Sequence, residues 1–213
     1  MDRDQAEYLR KLQEHVAGTR WIFSNKMKPE RERMVCRAFL RCLGIAFDNK
    51  EIITSDTEPI DVIFRSAKFQ IRELMEPDQK RWDELRDLQQ KVENATSIED
   101  LMTPYSPSRR LSFQVLVPEL TKALSEKAMK YGTGCRDLDA LLYVDLEGRH
   151  LDANSAIPDL SKLKSQGWRS VSALFPSYGV VLLAESTAPD FIQMTSGQAI
   201  SKWSDWDTLF DKS

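Results

Sequence analysis

The sequence predicts a single α/β domain over residues 1–213, with a mixed central sheet and helices on both faces, and three observations carry that prediction. Glu58 to Glu76 alternates apolar and polar residues in two halves, the pattern of a strand hairpin. Leu138 to Leu146 is Asp-rich at its start and then runs Ala-Leu-Leu-Tyr-Val, the pattern of a largely buried strand. Segments with apolar residues at three- and four-residue spacing flank these strands and supply the covering helices. Residues 1–27 read as an N-terminal helical extension, 28–146 as the core, and 147–213 as C-terminal strands and a cap.

Each element has its own signal. Asp2 to Val16 places Tyr8, Leu9, Leu12 and Val16 on one helical face, and Gly18 is expected to end that helix. A second helix runs from Lys28 to Gly44, with Pro29 in its first turn and glycine as its stop. Its apolar stripe is Val35, Cys36, Phe39 and Leu43, and Glu32 lies on that same inward face, where a carboxylate is unusual. Glu51 to Thr54 is a first strand, and the hairpin supplies two more. A tight turn over Ser66 and Ala67 sets Asp61 opposite Arg72, Ile63 opposite Gln70 and Val62 opposite Ile71. One face then holds Ile60, Val62, Phe64, Phe69 and Ile71, and the other gathers Asp61, Arg65, Lys68, Gln70 and Arg72 around Ile63. Ser-Ala is not a favoured turn pair, so a one-residue slip, which would break this grouping, stays open.

Pro77 opens a charged helix to about Ala95 whose apolar seam is Trp82, Leu85, Leu88 and Val92. Thr96 to Pro107 reads as a loop enclosing one turn at Ile98 to Met102. Leu111 to Val117 fits either strand or helix, and Pro118 fits the first turn of a helix stopped by Gly132. Asp159 to Gln166 is a short helix, and Arg169 to Phe175 and Val180 to Ala184 are strands. Trp203, Trp206 and Phe210, at helical spacing, are expected to dock as a terminal cap.

Composition narrows the function classes. Hydrophobic residues make up 41% and charged residues 30%, ordinary for a globular domain, and a net charge of -3 argues against a uniformly basic nucleic-acid coat while allowing a local patch. Cys36, Cys42 and Cys135 lack paired ligand spacing, so the expectation is a reduced, cytoplasmic setting with neither disulfides nor a zinc site. No run approaches 18 apolar residues and the start has no apolar signal region, so neither membrane spanning nor export is expected. No Gly-x-Gly-x-x-Gly or Walker loop indicates a nucleotide cofactor. His15 and His150 belong to no metal or triad spacing, and Ser161 to Lys164 matches Ser-x-x-Lys without its partner motifs. The oligomeric state is not legible.

A helix with a facing Glu, a strand, a hairpin bearing Pro59-Ile60-Asp61 and then Gln70-x-Arg72, a helix and a strand together resemble the core of the PD-(D/E)xK nucleases. More narrowly, the chain is similar to a family of uncharacterised bacterial proteins described as putative endonucleases. The resemblance implies a three-layer restriction-endonuclease-like fold and a hydrolase that cleaves phosphodiester bonds in DNA or RNA with Mg2+ or Mn2+. It puts Asp61 at the motif's first acidic position, Gln70 at the second, Arg72 at the lysine position and Glu32 at the helix acid. Asp61, Glu32 and Gln70 are then the expected metal ligands. Gln70 brings a neutral carbonyl where a carboxylate is usual, and Arg72 can stabilise a phosphorane electrostatically but cannot act as a base.

Each reading has a plainer counterpart. Asp61 and Arg72 opposite one another would be a cross-strand ion pair worth about 0.2–1 kcal/mol. Glu32 could pair with Arg31 or Arg33 if the stripe is rotated. Arg65, Lys68, Arg72, Lys80 and Arg81 could form a phosphate-binding patch or a solvated face broken by Glu73, Glu76 and Asp78. The alternative to an enzyme is a nuclease-fold module that has lost catalysis and binds nucleic acid or a protein partner.

Overall fold

The structure, a computed structural model, describes residues 3–76, 81–102, 108–146 and 148–201. In chain order its main elements are α1 (Arg3–Ile22), α2 (Lys28–Cys42), β1 (Ile52–Thr54), β2 (Val62–Phe64), β3 (Ala67–Leu74), α3 (Arg81–Asn94), β4 (Arg109–Leu111) and α4 (Phe113–Tyr131). There follow β5 (Asp139–Val144), β6 (Arg149–Leu151), α5 (Ser161–Lys164), β7 (Ser170–Leu174), β8 (Gly179–Ala184), α6 (Asp190–Gln193) and β9 (Gln198–Ile200). The chain gathers into two compact units, Met1–Arg31 with Met75–Pro107, and Glu32–Leu74 with Ser108–Ser213.

The second unit is built on a seven-stranded sheet in the order β1-β2-β3-β5-β7-β8-β9. Its centre, β3-β5-β7, is parallel, and antiparallel pairs extend it on both sides. Alternation along β5 separates the layers. Ala140, Leu142 and Val144 pack with Leu116, Leu120 and Leu124 of α4, while Leu141 packs with Cys36, Phe39 and Leu40 of α2. Helices therefore cover both faces of a mixed sheet, as the sequence predicts. Gly179 lets α2 approach, since a Cβ there would lie 2.9 Å from Cys42 Cβ.

In the first unit, α1 lies along α3: Leu9, Val16, Leu85 and Val92 are buried, and Gln13 Nε2 donates to Val92 O at 3.3 Å. This packing carries α1 through Gly18 to Ile22, four residues past the expected stop. An interior glycine costs only about 0.5–1 kcal/mol, which a buried helix face offsets. Gly44, at φ 68, does follow the end of α2 as expected.

Other boundaries move for local reasons. Ser112 is extended and α4 begins at Phe113, so Pro118 lies inside the helix rather than in its first turn. The start is held from outside, because Phe113 N–H donates to Ser155 Oγ at 3.0 Å and Gln114 Nε2 to Ala156 O at 2.9 Å. Two three-residue strands, β4 and β6, pair in parallel, and they, α6 and β9 were too short to impose a period on the sequence. The expected cap at Trp203, Trp206 and Phe210 and the Pro77 helix start lie outside the described residues. Among the described residues no helix is long and apolar enough to cross a membrane.

Candidate functional site

The hairpin turns one residue earlier than the sequence suggested, over Arg65 and Ser66, and the register moves by two. Val62 faces Phe69, Ile63 faces Lys68 and Phe64 faces Ala67. Arg65 takes a positive φ of 52, uncommon for a side chain of its size, and its guanidinium fixes the turn. Nε donates to Glu51 Oε1 at 2.9 Å and Nη2 to Ala46 O at 3.0 Å. A two-residue shift preserves side-chain parity, so Val62, Phe64, Phe69 and Ile71 still share the α2 face. Ile60 is the exception and packs on the α4 side.

The shift changes the partner of Asp61. Beyond Val62 the ladder breaks: Asp61 N–H donates to Phe69 O at 2.9 Å, and the carboxylate takes over the role of a strand carbonyl. Asp61 Oδ2 accepts from Ile71 N at 2.7 Å and from Gln70 Nε2 at 3.0 Å. The expected Asp61–Arg72 opposition is replaced by an Asp61–Gln70 contact. Arg72 reaches the other way, to Glu126 on α4, at 3.6 Å. Glu126 was missed in the sequence because a solvent-side Glu on a long helix carries no signal until the sheet register is known.

Gln70 is 4% exposed. Its Nε2 donates both to Asp61 Oδ2 and to Ile71 O at 3.3 Å, which fixes the amide orientation, because both neighbours are acceptors. The other end, Oε1, is buried and finds no hydrogen-bond donor among the described residues. A buried carbonyl oxygen without a donor costs about 1–3 kcal/mol, and it lies on the side chain that also touches a carboxylate. Two neighbouring groups offering oxygen suit a hard divalent cation, which takes oxygen donors and tolerates one or two carboxylates. A carboxylate and an amide oxygen are donor types that Mg2+ or Mn2+ accept, although the end of Gln70 that meets Asp61 is its Nε2, and Oε1 would have to turn toward the carboxylate to share a cation with it.

Glu32 is also buried, 9% exposed, but α2 carries it on the sheet face opposite to Gln70 and Arg72. The inward-facing acid predicted from the stripe is thus observed, while the structure brings only Asp61, Gln70 and Arg72 onto one strand neighbourhood. Among the described residues no group of three His, Cys, Asp or Glu side chains could hold a metal. The cysteines are free and buried, and burial pushes the Cys36 thiol up to about 12 and raises that of Cys135, so both stay protonated.

The residues of the expected basic patch belong to both units. Arg65 is engaged by Glu51, Arg72 by Glu126, and Lys68 is exposed at the start of β3, all in the sheet unit. Arg81 belongs to the helical unit, where it pairs with Glu84 at 3.5 Å, and Lys80 lies outside the described residues.

Comparison with known proteins adds three findings. No curated protein matches the chain. A solved structure from Pseudomonas aeruginosa strain PAO1, described as a protein of unknown function of the monooxygenase superfamily, is similar to it at 26% identity and TM-score 0.66. That likeness covers 95% of this chain and 97% of the other. A family match spans residues 4–205, so with its sheet, its hairpin and its Asp61–Gln70 contact all inside the matched region, the chain belongs to the DUF1780 family, described as "putative endonuclease, protein of unknown function".

Proposed function

We propose that the chain is a divalent-metal-dependent nuclease on a restriction-endonuclease-like sheet, hydrolysing phosphodiester bonds in nucleic acid at Asp61, Gln70 and Arg72. The observation that supports it is the 3.0 Å contact between the side chains at the motif's two acidic positions, with Gln70 Oε1 buried and undonated beside it. Mg2+ or Mn2+ bound there would supply Lewis acidity and an activated water. Asp61 provides charge to the site, and its bonds to Ile71 N and Gln70 Nε2 hold it in place. Arg72, two residues along the strand, neutralises charge on the phosphoryl group by exchanging Glu126 for substrate oxygen.

Cleavage of a labelled DNA and a labelled RNA with Mg2+ or Mn2+, each against EDTA, tests this reading. The expected result is metal-dependent hydrolysis abolished by Asp61→Asn and reduced by Arg72→Ala. Absence of hydrolysis on both polymers with both ions removes it. A second reading, a non-catalytic module that binds nucleic acid, is favoured by one observation: Arg72 is already ion-paired with Glu126. Binding without cleavage is its signature. The monooxygenase description belongs to the solved neighbour, and no side chain described above carries it to this chain.

A further inference from the structure

In the helical unit, three guanidinium groups lie in a row over two aromatic rings, Trp82 on α3 and Phe23 just past the end of α1. The Arg20 guanidinium sits 4.5 Å from the centroid of Trp82, and those of Arg31 and Arg81 each sit 5.3 Å from that of Phe23. Arg20 and Phe23 lie at the end of α1 and Arg81 and Trp82 at the start of α3, so both stacks join the same two helix ends. Trp82 is 44% exposed, and Trp21, next to Arg20, is 60% exposed. Lys26 is exposed within the turn that joins α1 to α2.

What holds these cations decides their use. Arg20 Nη1 donates to the amide oxygen of Gln89 at 2.6 Å, and Arg31 Nη1 to the backbone oxygens of Ile22 at 2.8 Å and Ser24 at 3.0 Å. Neutral acceptors orient a guanidinium without cancelling its charge. Arg81 is shared with Glu84. Four acids of the unit pair with other cations: Glu7 with Lys11, Glu14 with Arg10, and Asp83 and Asp87 with Arg86. The row therefore combines oriented positive charge with exposed indole surface.

We propose that this row binds single-stranded nucleic acid, with phosphates on Arg20, Lys26 and Arg31 and unstacked bases on Trp21 and Trp82. Single strands are the fitting form because every free base offers a π-face to an indole, whereas a duplex keeps those faces stacked. Oriented guanidinium groups suit phosphate oxygens, which they bind in a planar fork. The inference rests on the nuclease reading only for the class of polymer, since nothing in the row performs hydrolysis.

The test is fluorescence anisotropy of a labelled oligothymidylate with the full chain in EDTA, so that cleavage cannot enter. Trp21→Ala should weaken binding about tenfold, within the range for one stacked base. Lys26→Ala should lower the dependence of log K on log salt by about 0.7, the share of one phosphate contact on a single strand. Both side chains are exposed, so circular dichroism and the melting temperature should not move, and a blunt duplex should compete poorly. No binding, binding indifferent to Trp21→Ala and Lys26→Ala, or a duplex bound as tightly as the single strand would each overturn the proposal. Hydrolysis that persists with Trp21→Ala binding unchanged sinks this inference alone. Binding that follows the expected pattern without hydrolysis sinks only the nuclease reading.

Discussion

Arg169 grips Asp139 with both arms of its guanidinium, Nε to Oδ1 at 3.1 Å and Nη2 to Oδ2, and the carboxylate is fully buried. The same carboxylate accepts from Ser170 Oγ at 2.8 Å and Lys68 N at 3.0 Å, and Arg169 Nη2 also donates to Ser66 O at 3.1 Å. One acid thus fastens the starts of β3, β5 and β7. Removing one partner of such a pair strands the other charge. Asp139→Ala is expected to lower stability by about 3–5 kcal/mol, read from the midpoint of urea unfolding, and Asp139→Asn by less because it keeps some acceptors.

Gln70→Glu probes the candidate site through stability. It replaces a donor by a carboxylate 3.0 Å from Asp61 Oδ2, in a buried position. Without metal the loss should be about 2–4 kcal/mol. The introduced carboxyl has its folded pKa raised above the unfolded value of about 4.3, so the deficit is absent below that pH and grows as pH rises toward the folded pKa. Mn2+ should restore the melting temperature and give a calorimetric binding isotherm; a deficit that Mn2+ leaves unchanged counts against cation binding at Asp61.

Two glycines should respond to alanine in opposite directions. Gly179→Ala forces a Cβ to 2.9 Å from Cys42 Cβ, a backbone-level clash between β8 and α2, and should cost about 1–3 kcal/mol. Gly18 lies within α1 with nothing within 4 Å of the added atom, so Gly18→Ala should stabilise by about 0.5–1 kcal/mol. Paired thermal melts decide both.

The Arg65 turn can be followed by titration. The Arg65 guanidinium, then the Asp48 backbone N–H, hold Glu51 below its ordinary carboxylate value. A lowered carboxylate contributes stability above its unfolded pKa and loses it as pH falls through the folded one. Side-chain carboxyl NMR should therefore show the Glu51 midpoint rising in Arg65→Gln, and an unmoved midpoint would mean that the pair does not persist in solution.

The sheet was legible because β5 is apolar after Asp139 and the hairpin alternates, and those patterns survive any even shift of register. The register itself was not legible. It depended on Arg65 accepting a positive φ for the sake of Glu51 and Ala46, contacts from outside the hairpin that no local pattern encodes. That is why Asp61 could be picked out as a site residue while its partner was assigned to Arg72 instead of Gln70. Glu32 was legible as an inward acid from helical spacing alone, but which face of the sheet α2 would cover was not. The two compact units were equally hidden, because each is made from segments distant in sequence and neither has a linker of distinctive composition.

That discontinuity governs the order in which the chain can assemble. Helix α1 has its partner α3 only after all of β1, β2 and β3 have been made, and β3 waits longer still, since Lys68 N and Asp139 Oδ2 are 71 residues apart. The β2–β3 hairpin needs no distant segment and can close in about 1–10 μs. The parallel centre must first bear the loop-closure entropy of everything between, which puts the fold among the high-contact-order, slow-folding topologies. During synthesis, α1 stands without α3 until β3 is complete, and β3, already paired with β2, lacks β5 for longer.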